Sequence, residues 1–102
     1  MKEARTAAGL SQEMLGVLAG IDEMSSSARM NQYERGKHQP DFSMVERIAA
    51  VLNVPESYLY CKDEELAAIL VDVHRLSPTE KAQVIREIQT VLKHQINKTF
   101  PS

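Results

Sequence analysis

Cysteine is nearly absent from the 102-residue chain: Cys61 stands alone. One cysteine excludes an internal disulfide and a thiolate metal cluster. An excess of charge of one sign is missing as well. Twelve Lys and Arg against fourteen Asp and Glu leave a net charge of −2 and a pI near 5.9. A protein that coats nucleic acid without regard to sequence is usually far more basic, so that class is disfavoured. No apolar run approaches the ~18–20 residues that a membrane span needs. The amino-terminal stretch Met1-Lys2-Glu3-Ala4-Arg5 is charged and lacks the apolar segment of a signal peptide. A soluble cytoplasmic protein is the expectation. His38, His74 and His94 are dispersed and form no His-x-x-x-His or Glu-x-x-His pattern, so no metal is expected. Gly16, Gly20 and Gly36 are followed by no Gly-Lys-Ser/Thr, which excludes a phosphate loop. Cys61 lies far in sequence from any histidine and reads as a small packing residue rather than a nucleophile. No cofactor is implied, and an enzyme is disfavoured.

Strand signals are also lacking, with no Asn-Gly or Asp-Gly dipeptide and no alternating β-branched run. Helix punctuation is what the chain has. A first helix from Lys2 to Ala8 ends at Gly9, and Ser11 caps a second, Gln12 to Ala19, with Glu13 in its first turn. Asp22 to Ser26 reads as a polar connection, after which Ser26 or Ser27 caps a third helix closed by Gly36. Asp41 caps a fourth helix, whose Phe42, Val45, Ile48, Ala49 and Leu52 recur at helical spacing. Pro55 opens a short fifth helix to Tyr60. Asp63 to Glu65 start a sixth with the stripe Leu66, Ile69, Leu70 and Val73. Ser77-Pro78-Thr79-Glu80 is a capping box with proline at the first helical position, opening a long last helix to about Ile96. Met14, Met24, Met30 and Met44 are expected to fill the core and the joints between helices. The reading is all-α: five short helices in residues 1–60 and a two-helix extension in residues 61–102.

Three blocks carry a resemblance. Leu10-Ser11-Gln12-Glu13, then Gly20-Ile21, then Tyr33-Glu34-Arg35-Gly36-Lys37 with Pro40 resemble the phage-repressor (XRE) type of helix-turn-helix. The continuation Ile48-Ala49-Ala50-Val51-Leu52-Asn53-Val54-Pro55 is similar to the fourth and fifth helices of that family. One departure stands out, since Gly20 to Glu34 is about four residues longer than is usual there. With that longer turn, the run Ala28-Arg29-Met30-Asn31-Gln32-Tyr33-Glu34 looks most like controller proteins of restriction-modification systems. The chain starts abruptly inside what would be the family's first helix, which raises the expectation of a further turn upstream.

A recognition helix must anchor one face in the core and offer a polar face to base edges. On the third helix Met30 and Tyr33 can both point inward, leaving Ser27, Ala28, Asn31 and Gln32 outside with Arg29 and Arg35 on the flanks, and Ser26 at the helix start is counted with the DNA contacts. Gln and Asn can pair with adenine, Arg with guanine, and Ala can meet a thymine methyl. The resemblance further implies that Gln12 reaches a phosphate and buttresses the third helix, and that Lys37 and His38 take phosphates. Glu34 and Arg35 read as structural rather than base-reading, because an acid aimed at phosphate would be repelled, and Asp22 and Glu23 should turn away from DNA.

The last helix adds Val84, Ile85, Ile88, Val91, Leu92 and Ile96, an apolar stripe beyond the needs of the five-helix core. Its expected use is a homodimer on a double-stranded, near-palindromic DNA operator. A rival dimer surface is the fifth helix, around Val54, Tyr58 and Leu59. A protein-interaction module, such as an antitoxin holding a toxin through the last helix, is the second functional class.

Overall fold

The structure is a computed structural model that describes residues 1–99, with side chains to residue 95. Ile96, the last residue of the expected apolar stripe, has its side chain outside the described residues. The helices are α1 (Lys2–Ala7), α2 (Gln12–Leu18), α3 (Glu23–Glu34), α4 (Phe42–Leu52), α5 (Glu56–Tyr60), α6 (Glu64–His74) and α7 (Pro78–Thr99). Among the described residues there is no strand, and no helix is long and apolar enough to cross a membrane. The all-α architecture is the one expected.

Most helix starts follow their caps. The Ser11 hydroxyl accepts the Met14 N–H at 3.0 Å, and the Asp41 and Asp63 carboxylates accept those of Met44 and Leu66 at 2.8 and 3.0 Å. Ser77 and Glu80 exchange both bonds of the capping box, at 3.0 and 3.2 Å. The Ser77 N–H and hydroxyl together hold the Glu80 carboxyl below its ordinary range. Pro55 lies one residue before α5 rather than inside it.

The third helix departs from expectation. It begins at Glu23, and the Asp22 carboxylate caps it by accepting the Met24 N–H at 3.1 Å. The residues expected as a polar connection are an added helical turn. The true connection is Gly20 to Asp22, where Gly20 has a φ of +93° that only glycine adopts without strain.

Four side chains that are almost fully buried, Leu15, Met30, Val45 and Ile48, centre the core on α2, α3 and α4. Helices α2 and α3 meet at Gly16, where a Cβ would strike the Ser26 side chain. Arg47 of α4 donates through Nε to the Ala19 carbonyl at the end of α2 at 2.7 Å. Phe42, expected in the α4 stripe, is exposed, and Met44 takes the inward position. Met30 and Met44 are core fillers, but Met14 and Met24 are exposed.

Helix α6 docks on the body through a face rotated from the one expected, with Leu70 and Val73 of the expected stripe half-buried. Ala67 is buried and Val71 packs on the core, while Leu66 and Ile69 stay exposed. At its end Arg75 donates to the Asn53 and Leu52 carbonyls, at 3.1 and 3.4 Å, and so caps α4. Past half-buried Lys81 and Val84, every described side chain of α7 is exposed. The helix leaves the body as an arm, in keeping with the molecule's extents of 63 × 29 × 22 Å.

Candidate nucleic-acid interface

The inner side of α3 is tied down by one polar network. Arg5 of α1 grips the Glu34 carboxylate with Nε at 2.6 Å and Nη2 at 3.2 Å, and its Nη1 holds the Leu10 carbonyl at 2.8 Å. Gln12, the first residue of α2, donates through Nε2 to Glu34 at 3.2 Å and to Asn31 Oδ1 at 3.3 Å. Three helices thus share one carboxylate, whose side chain is only 4% exposed. Gln12 buttresses α3, and Glu34 is structural and neutralised by its partner.

Burial opposes ionisation of Glu34, but the Arg5 and Gln12 hydrogen bonds and the Arg5 charge outweigh it, so its pKa lies below the ordinary 4.5. A carboxyl with a depressed folded-state pKa contributes stability above its unfolded value and loses it as pH falls through the folded one. Thermal melts between neutral pH and about pH 3 should therefore show a fall beginning below about pH 4.5, and Glu34→Gln should flatten it. An equally steep fall in Glu34→Gln would assign the acid sensitivity elsewhere.

The opposite side of α3 is open. Ser27, Ala28, Arg29 and Gln32 are exposed, and Asn31 is half-buried beside Gln12. Arg35 follows at the C-cap. Beyond it the chain folds back, the N–H groups of Lys37 and His38 donating to the Gln32 carbonyl at 2.9 and 3.4 Å. That return holds the exposed Lys37 and His38 against the end of α3. Amide, guanidinium and methyl groups thus share one helix face, with cations at its end. This is the chemistry of base-edge contact flanked by phosphate contact.

Ser26 is a correction. It was expected among the DNA contacts, yet it is fully buried, and its hydroxyl donates to the Glu13 carbonyl at 2.7 Å. The close approach of α2 at Gly16 leaves room there for nothing larger. Two exposed residues were missed instead, Met24 and Ser25, both on the added first turn of α3. The signal that could have found them is Asp22, a preferred N-cap residue directly before Glu23, an acid favoured in a first turn. Among the described residues no cluster of His, Cys, Asp or Glu could hold a metal ion.

The helix-turn-helix family pattern HTH_3 matches residues 1–59. Among solved structures, the crystal structure of the transcriptional regulator BswR is similar to this chain, with 49% identity over 92% of this chain and 93% of that one and a TM-score of 0.86. That likeness therefore takes in the C-terminal helices as well as the matched pattern. No curated protein matches the chain.

Proposed function

The chain belongs to the XRE-type helix-turn-helix family of DNA-binding transcriptional regulators, and from that premise we propose that it acts in the cytoplasm as a homodimer on a near-palindromic operator. Residues 1–60 read the DNA, and residues 61–102 assemble the dimer. The observation that carries the dimer is the stripe on α7, where Ile85, Ile88, Val91 and Leu92 are each half or more exposed. A small monomer has no use for such a patch, whereas a symmetric copy can cover it. Leu66 and Ile69, exposed on neighbouring α6, extend the same apolar supply. The rival surface on α5 is less available, since Val54 is buried and Tyr58 and Leu59 pack against the core. The genes regulated are proposed to be those of a restriction-modification system, on the resemblance of the run from Ala28 to Glu34 to controller proteins.

In this assembly Ala28, Arg29, Asn31 and Gln32 face base edges, Ser27 and Gln12 lie near the backbone, and Arg35, Lys37 and His38 take phosphates. Affinity then depends on few cations in an acidic chain. Across a salt titration of operator binding, a dimer with roughly 6–10 phosphate contacts should give a log–log slope of about −5 to −9. Gln32→Ala should cost about 1–3 kcal/mol and relax preference at one position per half-site, while Lys37→Ala weakens all sequences alike. A flat salt response would remove DNA as the partner, and equal weakening of every site by both variants would reverse the assigned orientation of α3.

A further inference from the structure

We propose that Met24 is a base-reading residue that senses the C5-methyl group of a pyrimidine in the major groove. The inference rests on the DNA-reading function above and adds to it a specificity contact from the added turn of α3. Met24 is 93% exposed, the most exposed of the large apolar side chains in the described structure. It stands four residues before Ala28 and eight before Gln32, so the three lie along one line of the helix face. At 1.5 Å per residue, that line runs about 12 Å from Gln32 to Met24, a little over three base-pair rises.

Recognition helices of this kind lead with their N-terminal residues, so the added turn occupies the position closest to the bases. Met24 has no donor and cannot bind phosphate. Of the groups that a base pair presents in the major groove, only a pyrimidine C5-methyl matches a thioether methyl. The neighbouring acids do not compete for the position. The Asp22 carboxylate is bound back to the Met24 N–H, and Glu23 is turned about 100° away around the helix axis. Ala28, one turn on, supplies a methyl too small to reach the same step.

The C5-methyl group has two sources, thymine and 5-methylcytosine, and the test separates them. Duplexes would be selected from a randomised pool by the full-length protein. Binding is then measured with each thymine replaced singly by deoxyuridine, and each cytosine by 5-methylcytosine. The wild type should lose about three- to tenfold at one thymine per half-site, or gain as much at one methylated cytosine, the range set by burying one methyl group. Met24→Ala should be blind to that substitution, and Met24→Leu should restore the discrimination. Because Met24 is so exposed, both variants should melt as the wild type does. Full methyl discrimination in Met24→Ala, or none at any position in the wild type, overturns the proposal while leaving DNA reading intact. A pool that yields no enriched sequence overturns both.

Discussion

Ile88→Glu combined with Leu92→Glu should give a folded monomer whose operator affinity is at least about a hundredfold weaker, because the second half-site no longer binds as part of one molecule. Both residues are half exposed on α7 and add nothing to the core of α2, α3 and α4. Two glutamates there should leave the monomer's melting unchanged. In the dimer, each buried side chain of the stripe contributes about 1.5–3 kcal/mol, and two charges facing their symmetry copies would oppose association directly. Sedimentation of the double variant reads the result. An intact dimer would move the interface off α7, and α5 would be the next surface to test. A wild type that sediments as a monomer, and associates only with a different protein, would favour the antitoxin-like reading.

Arg5→Ala should be the most damaging single change outside the apolar core. Removing the guanidinium strands the Glu34 carboxylate, 4% exposed, with Gln12 as its remaining side-chain donor. Breaking a part-buried, charge-assisted pair from one side should cost about 1–3 kcal/mol, so the urea midpoint should drop clearly. Arg5→Lys should recover only part of the loss, since an ammonium cannot hold both carboxylate oxygens and the Leu10 carbonyl in one plane. A loss below about 1 kcal/mol would class the pair with ordinary surface bridges. Glu34→Gln should cost less than Arg5→Ala, because the Arg5 guanidinium, though left without its counter-charge, is more exposed and keeps the Leu10 carbonyl and the new amide oxygen as acceptors.

Where local chemistry decides an element, the sequence is readable. The Ser77–Glu80 capping box and the Asp41 cap announce α7 and α4 because both signals act within one turn. The start of α3 carries a local signal of the same kind, the Asp22 cap ahead of Glu23, but the serines that follow obscure it. Three successive serines carry no apolar period, and the middle one is inside only because the Glu13 carbonyl accepts its hydroxyl across the α2–α3 contact. Such a bond depends on a residue thirteen positions away and leaves no local trace. The extra length between Gly20 and Glu34 is therefore legible as a count, and as a helical turn only through the Asp22 cap. Helix α6 failed for a different reason. Its largest side chains suggested the packed face, yet Ala67 lets the helix approach closely and Leu66 and Ile69 are left outside. Of the candidate site, the arrangement of Gln12, Glu34 and the exposed face of α3 followed from spacing and resemblance. The exclusion of Ser26 and the exposure of Met24 needed the third dimension.

The Arg75 contact gives the molecule a mechanical property. It pins the elbow between α6 and α7 to the carbonyl end of α4, so the arm is hinged on the reading head rather than on a free linker. The 22 residues of α7 make a lever about 33 Å long. A swing of about 10° at the elbow would carry Leu92, about 21 Å along the helix, by about 4 Å, close to one base-pair rise. Two such levers joined along Ile85 to Leu92 act as callipers. In the dimer proposed above, the stiffness of this one elbow, rather than any base contact, then sets how much variation in half-site separation the protein tolerates.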